Sequence, residues 1–215
     1  MLKKRNVTPE VSAAGNSANR RGNGFFLRRL VRDRTGASAL EFAILVPVFL
    51  MALFPPFETF TAFIGEQLFV NATDTMARKV RTGEITFGLG KPTDMSEEQF
   101  RKAFCAEISI LMTCSNTEGK TPSRLLVDVR SFADFANIRA GIPRKGTSAG
   151  SDLDTTGFKF APGGPRTVNV VRAYYRWPVT VDYYRAYTTN LRPAGSSMPS
   201  DYLMAATAVF RSENY

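Results

Sequence analysis

One carboxylate, Glu41, begins a stretch of the chain that is otherwise apolar. No residue from Phe42 to Phe57 carries a charge. A carboxylate near hydrocarbon costs about 2–3 kcal/mol at mid-depth and less near the end of a span, and such residues commonly have a function. The alternative is that Glu41 reaches the headgroup level, where water solvates it. Glu41 is therefore the first candidate for chemistry in this sequence.

Two cysteines form a second candidate. Cys105 and Cys114 follow the apolar stretch, and an even pair favours a disulfide in an oxidising compartment. The ring of about ten residues would add on the order of 2–3 kcal/mol to the free energy of unfolding. Two buried free thiols are the alternative. The chain has no histidine, so a zinc site would need both thiolates and distant carboxylates, and we expect no metal and no cofactor.

A G-x-S-x-G pattern at Gly146–Gly150 matches the nucleophile motif of hydrolases. In those enzymes the serine stands on a strand-to-helix turn beside a histidine base. Here the pattern lies in the segment Gly141–Arg166, whose six glycines and three prolines predict a loop. Without a histidine in the chain the serine has no such base, and we predict that the protein is not an enzyme.

Aromatic residues are frequent in the C-terminal third and could form a contact surface, because Tyr and Trp are favoured at protein interfaces. Six residues belong to this group: Tyr174, Tyr175, Trp177, Tyr183, Tyr184 and Tyr187. The interface candidates are Tyr174, Tyr175 and Trp177. The alternative is that half of the group forms the core face of a strand.

The apolar stretch predicts a long helix. Leu40–Ile64 is longer than the roughly 20 residues that an α-helix needs to cross a bilayer. Pro47 and the pair Pro55-Pro56 predict bends in this helix. Further on, apolar residues recur every four positions up to residue 80, and Gly83 can supply a left-handed stop. We predict one helix from about residue 38 to 82, which spans a membrane first and packs on a domain afterwards.

The rest of the chain predicts an α+β fold. Ser96-Glu97-Glu98-Gln99 matches a capping box and begins a helix that we expect to end at Met112. Strands are predicted at 125–132, 168–181 and 202–210 from their alternation and β-compatible residues. We expect an antiparallel sheet of about three strands with the helices on one face. The predicted domains are a leader (1–36), a transmembrane helix (37–64) and an exported α+β domain (65–215).

Positive charge is concentrated at the N-terminus. Nine of the 28 Lys and Arg residues precede Ala37, against only Glu10 and Asp33, so this segment carries +7 of the net +9. The positive-inside rule then predicts a cytoplasmic N-terminus. The remaining chain has no basic stripe interleaved with aromatics, and we expect no nucleic-acid partner.

The segment from Gly36 to Phe42 resembles the processing site of type IV prepilins of the Flp/Tad (tight adherence) branch. Gly36 and the pair Glu41-Phe42 carry this resemblance. It implies that a prepilin peptidase cuts between Gly36 and Ala37, which removes 36 of 215 residues and leaves 179. It also implies that Glu41 stays at the top of the mature helix and takes part in pilin assembly.

The exported part is similar to the TadE-like pilus assembly proteins. The similar segments are 100–132 with both cysteines, 160–165, 171–178 and 205–211. The resemblance implies a minor pilin (pseudopilin) that acts in assembly or initiation of a Tad pilus. Its partners would be the prepilin peptidase, the major Flp pilin, other minor pilins and the Tad platform proteins. It would cross the inner membrane once, with a periplasmic C-terminal domain. The alternative is an unprocessed membrane-anchored adhesin or envelope binding module.

Overall fold

A computed structural model describes residues 36–148, 150–191 and 201–215. The predicted leader therefore lies outside the described residues, apart from Gly36. The structure comprises two compact units, of which the first ends at Leu50 and the second runs from Met51 to Tyr215.

The first helix, α1, runs from Ala37 to Thr82, which confirms the long helix that the sequence predicts. The helix continues through both Pro55 and Pro56. It ends where Gly83 adopts a φ of 81°, a conformation that glycine accepts without strain. An added Cβ at Gly83 would overlap the Tyr215 ring, so this position also requires a residue without a side chain.

Within the first unit, α1 exposes its large apolar side chains. Phe42, Leu45 and Val48 are each more than 60% exposed. Among the described residues, α1 is the one helix that is long and apolar enough to cross a membrane, and its most apolar stretch buries nothing. The exposed surface is that expected of a single membrane anchor near the N-terminus.

Helix α2 runs from Glu97 to Ile108. Ser96 and Gln99 form the predicted capping box, with each side chain accepting from the other residue's backbone N–H. The helix is shorter than predicted, because its regular turns end at Ser109 and residues up to Met112 form a looser turn on the Ile108 carbonyl. Phe100, Phe104 and Ile108 are its buried apolar residues.

The sheet has four strands: β1 (Leu125–Phe132), β2 (Phe160–Ala161), β3 (Val168–Pro178) and β4 (Asp201–Arg211). Their order is β2-β1-β3-β4. β1 and β4 are antiparallel to β3, whereas β2 is parallel to β1, with Phe160 opposite Val129. The α+β fold and the three predicted antiparallel strands are therefore confirmed, whereas the expected strand number and the purely antiparallel sheet are corrected by the parallel strand β2. The added strand has two residues, too few to produce an alternating pattern, and it lies in the segment that its glycines and prolines marked as a loop.

Two shorter helices complete the described chain. A 3₁₀ helix covers Phe135–Asn137, and helix α3 covers Asp182–Thr188. The sequence indicated neither of them. β3 ends at Pro178 rather than at the predicted Val181, and the residues that follow it lead into α3.

The second unit has an apolar cluster on each face of the sheet. The larger one contains Phe69, Met76 and Val80 of α1, together with side chains of α2 and the sheet. Rings of α1, α2 and β3 meet there, with Phe69 centred 5.5 Å from Phe104 and 6.1 Å from Tyr175. The smaller cluster joins Tyr174 and loop residues on the opposite face. The C-terminal half of α1 is therefore part of the core.

Candidate functional site

The predicted processing site lies at the start of the described chain. Gly36 is exposed and immediately precedes α1, which begins at Ala37. A Cβ added at Gly36 would meet no atom within 4 Å. Glu41 is also exposed, one turn beyond Ala37 on the same helix. An alanine at position 36 is therefore sterically harmless to the described fold.

Cys105 and Cys114 form a disulfide with a Cα–Cα distance of 6.0 Å. The bond connects α2 to the loop that follows it. Both cysteines are half-buried and pack against the larger apolar cluster. The pairing is the one that the sequence favoured, and it holds the start of the α2–β1 loop against the helix.

The same loop is organised by a buried acid, Glu118, which is 1% exposed. One carboxylate oxygen accepts from the backbone N–H groups of Ser123, Arg124 and Leu125 at 2.6–2.8 Å. The other accepts from the hydroxyls of Ser115 and Ser123. Burial alone raises the pKa of Glu118, but these hydrogen bonds outweigh it and lower the pKa to about 2. The sequence offered only a lone glutamate among Ser and Thr residues, and that pattern did not identify it.

Two of the three predicted interface residues belong to the core. Tyr174 is 2% exposed and Tyr175 is 1% exposed. Tyr174 stacks on Phe158 in the smaller cluster, whereas Tyr175 lies in the larger one and donates its hydroxyl to the Thr113 carbonyl at 2.9 Å. Both positions agree with the alternative given for the aromatic group, that these residues are core residues of a strand. A buried ring cannot serve as a free contact surface, so the prediction for these two residues is corrected.

Trp177, the third of these residues, lies where β3 meets α1. It is half-buried and packs against Gly65, where an added Cβ would come within 3.0 Å of the indole ring. The absence of a side chain at position 65 therefore allows the indole to approach the helix closely. This contact begins a junction between α1 and the end of β3, which we call the junction and define by residues 51–66, 177–188 and 202.

Glu58 holds the backbone of the junction in place. Its carboxylate accepts from the Thr180 N–H at 2.6 Å, from the Thr180 hydroxyl at 2.8 Å and from the Val181 N–H at 3.3 Å. These groups belong to the turn that leads into α3. Glu58 is the first charged residue after the apolar run, which was a signal in the sequence. Its partners are more than a hundred residues away and could not be inferred from local patterns.

Tyr183 of α3 completes the contact with α1. Its hydroxyl donates to the main-chain carbonyl of Met51. In a regular helix that carbonyl would accept from the N–H of residue 55, but Pro55 has no N–H. The tyrosine therefore satisfies the carbonyl that the proline leaves free, and one of the two adjacent prolines becomes part of the attachment of α3.

A cavity of about 190 Å³ lies within the junction. Glu58, Glu66, Trp177 and Tyr202 are among its lining residues. The Tyr202 hydroxyl donates to Glu66 at 3.3 Å. Burial first, and then the Glu66 charge, raise the pKa of Tyr202. The lining combines apolar rings with two carboxylates, a composition suited to contacts with a cationic or aromatic group.

A second, more polar cavity of about 530 Å³ opens on the other face of the sheet. Arg130, Arg139 and Arg172 line it together with Asp128. Asp128 pairs with Arg130 at 2.6 Å, and the nearly buried Arg172 donates to the Arg139 carbonyl. The sequence did not indicate this cavity, because the loop 133–158 that closes it has no periodic pattern.

Among the described residues, no group of three or more Cys, Asp or Glu side chains is placed to hold a metal ion. The G-x-S-x-G pattern includes Ala149, which lies outside the described residues, and Ser148 is exposed in the surrounding loop. No protein-family model, no curated protein and no solved structure matches this chain. The junction packs Trp177 against Gly65 of α1, and its carboxylates Glu58 and Glu66 accept hydrogen bonds from the turn before α3 and from Tyr202.

Proposed function

We propose that this chain is a membrane-anchored minor pilin (pseudopilin) of the Flp/Tad type that acts in pilus assembly or initiation. The observation that supports this most is that α1 exposes its apolar side chains in its first part and buries them in its second part. Phe42, Leu45 and Val48 are fully available to lipid or to other helices, whereas Phe69, Met76 and Val80 of the same helix are core residues of the α+β unit. A subunit of this kind can pack into a helical bundle through the first part and present its folded domain through the second.

Glu41 is the proposed assembly carboxylate. After cleavage, the new ammonium group of Ala37 lies about 6 Å along the helix axis from Glu41, which permits only a loose pair within one helix. Two helices staggered along their axes can bring the ammonium of one directly to the carboxylate of the next. An unpaired carboxylate in an apolar environment is costly, so the pair favours the correctly registered neighbour over others.

Processing is tested by N-terminal sequencing after co-expression with a Tad-type prepilin peptidase. We expect a mature chain that begins at Ala37, and we expect Gly36→Ala to slow the cleavage markedly. Gly24→Ala, the same change at another leader glycine, is the matched control and should be cut at the wild-type rate. A chain that still begins at Met1 in the presence of an active peptidase would contradict the pilin proposal.

Assembly is tested with Glu41→Gln, which removes the charge at nearly constant size. The variant should insert in the membrane and be cleaved, but it should copurify less with the major Flp pilin and support fewer pili. Glu84→Gln is the control, because Glu84 is exposed beyond the end of α1 and bonds only to Thr82 among the described residues. Wild-type piliation by the Glu41 variant would remove the assembly mechanism.

The proposed topology is a single pass through the inner membrane, with the N-terminus in the cytoplasm and the α+β domain in the periplasm. The basic segment before Ala37 and the Cys105–Cys114 disulfide both support it. Alkaline phosphatase fused after Tyr215 should be active, since that enzyme folds only where disulfides form. An inactive fusion at normal abundance would reverse the topology.

The alternative function, an unprocessed anchored adhesin or binding module, is favoured by one observation. The polar cavity lined by Arg130, Arg139 and Arg172 has the size of a ligand site and is not used by the pilin proposal. An uncleaved chain that loses surface attachment on Arg172→Met, but retains its folded domain, would support this alternative over the pilin.

A further inference from the structure

We propose that α3 forms a collar that lies in the headgroup region of a phospholipid bilayer. We define the collar as Asp182–Thr188. The partner is the lipid surface itself. The collar would contact neutral, zwitterionic headgroups and the part of the acyl chains next to them. This inference rests on the membrane anchoring in the proposed function and adds the depth at which the folded domain sits.

The hydrogen bond from Tyr183 to the Met51 carbonyl fixes the level of the collar along α1. Met51 precedes Phe57, the last residue of the uncharged run, by about 9 Å of helix rise. The Tyr183 hydroxyl thus reaches into the apolar run, whereas Glu58, the residue just past that run, holds the turn before α3. Helix α3 therefore begins at the level at which the run ends. If the run is in hydrocarbon up to its end, α3 cannot be far from the acyl chains.

The surface of α1 at the same level supports this depth. Phe57, Phe60 and Phe63 are each at least 60% exposed, and Ile64 is 60% exposed as well. Large apolar side chains in such a continuous group mark a surface that is covered in the functional state. The apolar surface of α1 therefore continues alongside the whole junction, and whatever covers it also reaches the collar.

The collar has the composition of an interfacial segment. Tyr183 and Tyr187 are four residues apart on one face of α3 and are 53% and 85% exposed. Tyrosine and tryptophan are enriched at membrane–water interfaces, because their rings enter the apolar region while their polar atoms stay hydrated. Tyr187 lies near the Tyr184 ring, with centroids 6.5 Å apart, and otherwise leaves most of its surface open to a covering phase.

The charges of the collar indicate which headgroups it meets. Arg185 is paired with Asp182 at 2.7 Å and also donates to the Val179 carbonyl. The collar therefore has no net charge and no cluster of free cations to attract anionic lipid. The free energy of contact must come from the aromatic rings, and these favour the interface of neutral phospholipids as much as that of anionic ones.

The hydrogen bond between Tyr183 and the Met51 carbonyl also fits a location in the membrane interface. A carbonyl freed by proline is costly in hydrocarbon unless another group donates to it. Tyr183 supplies such a donor from outside the helix, so the pair Pro55-Tyr183 is most useful where water is scarce. The same bond in open water would contribute little, since water could replace it.

The test uses one tryptophan placed in the collar as a depth probe, which is possible because the chain has a single native tryptophan to replace. The full chain carrying Trp177→Phe and Tyr187→Trp is reconstituted into phosphatidylcholine vesicles whose acyl chains are brominated either near the headgroup or near the methyl end. Bromine quenches tryptophan on contact. A collar buried by about 5–10 Å should lose roughly half of its fluorescence with the shallow bromines and clearly less with the deep ones.

Two matched probes in the same Trp177→Phe background separate the possible failures. Phe54→Trp lies within the proposed span and should be quenched. Phe87→Trp lies past the far end of α1, which is about 37 Å of helix rise from Phe57, and should not be quenched. Quenching at position 54 together with a position 187 that behaves like position 87 would overturn the collar and leave the anchoring intact. No quenching at position 54 would overturn the anchoring, and the collar with it. A position 187 that becomes quenched only when the protein is diluted in lipid would assign the surface to a second copy of the chain.

Discussion

Glu118 offers the sharpest test of how the α+β domain is held together. Its carboxylate accepts from four backbone N–H groups and two hydroxyls of the α2–β1 loop and the first residue of β1. Glu118→Gln keeps the shape of the side chain but replaces one accepting oxygen by an NH₂ group, which faces donors. Glu118→Gln should therefore lower the free energy of unfolding by about 2–4 kcal/mol at neutral pH, because hydrogen bonds to a charged acceptor are lost and buried donors are left without a partner.

The pH dependence gives a second, independent magnitude. The pKa of Glu118 is lowered in the folded state, from 4.5 to about 2, and this difference corresponds to about 3 kcal/mol of stability. Because the folded-state pKa is the lower one, this contribution is complete above pH 4.5 and is lost as the pH falls through about 2. The difference between wild type and Glu118→Gln should therefore be constant near neutrality and should narrow steadily in acid.

The assay is urea unfolding of the full chain in detergent micelles, followed by Trp177 fluorescence at a series of pH values. Glu107→Gln is the matched control, because Glu107 forms a partly exposed pair with Lys79 at 2.6 Å. Such a pair contributes at most about 1 kcal/mol, so this variant should unfold almost like wild type. A Glu118 variant within 0.5 kcal/mol of wild type, or a difference that does not change with pH, would refute the role of this carboxylate as the centre of the loop.

Three further predictions concern the same domain. Gly83→Ala should destabilise the domain by about 2 kcal/mol or more, because the new Cβ meets the Tyr215 ring. Gly88→Ala, at a φ of 67° with open space around it, should cost about 1 kcal/mol in the same unfolding assay. Equal costs for the two variants would contradict the contact with Tyr215. Tyr175→Ala should lower the free energy of unfolding by about 3 kcal/mol or more, because it removes a buried ring. Tyr175→Phe should lower it by about 1 kcal/mol, because only the hydrogen bond to Thr113 is lost. A stable Tyr175→Ala that only loses a binding partner would restore the interface role of this residue. In exported protein, thiol labelling under denaturing, non-reducing conditions should modify neither Cys105 nor Cys114, and full labelling of both would place the domain in a reducing compartment.

The sequence was sufficient for elements with a long or chemically explicit signal. The uncharged run and the four-residue spacing after it predicted α1, and Ser96 with Gln99 predicted the start of α2. The alternation in β1 and β3 placed Tyr174 and Tyr175 on opposite faces, which is how they reach different apolar clusters. Local periodicity is strong in each of these segments, and the folded environment agrees with it.

The remaining features depend on contacts between distant parts of the chain. β2 exists because Phe160 reaches the edge of β1 and packs on Phe100, with ring centroids 5.1 Å apart. α3 is stabilised by Tyr183 and by the turn held on Glu58, and its seven residues have no strong pattern of their own. The junction could therefore not be predicted as a site, although Glu58 was visible as the first charge after the apolar run.

The position of α1 in the core has a consequence for the order in which the domain can fold. Phe69 contacts Tyr175, a residue on the order of 100 positions later, and Met76 shares its cluster with Met204 of β4. Such long separations make closure slow, because the loop between the contacts must be ordered before they contribute. The Cys105–Cys114 ring needs only its own short segment and can form early. Newly made chains should thus pass through a stage in which α1 is complete but one of its faces is bare, and the arrival of β3 and β4 sets the time at which that face is covered.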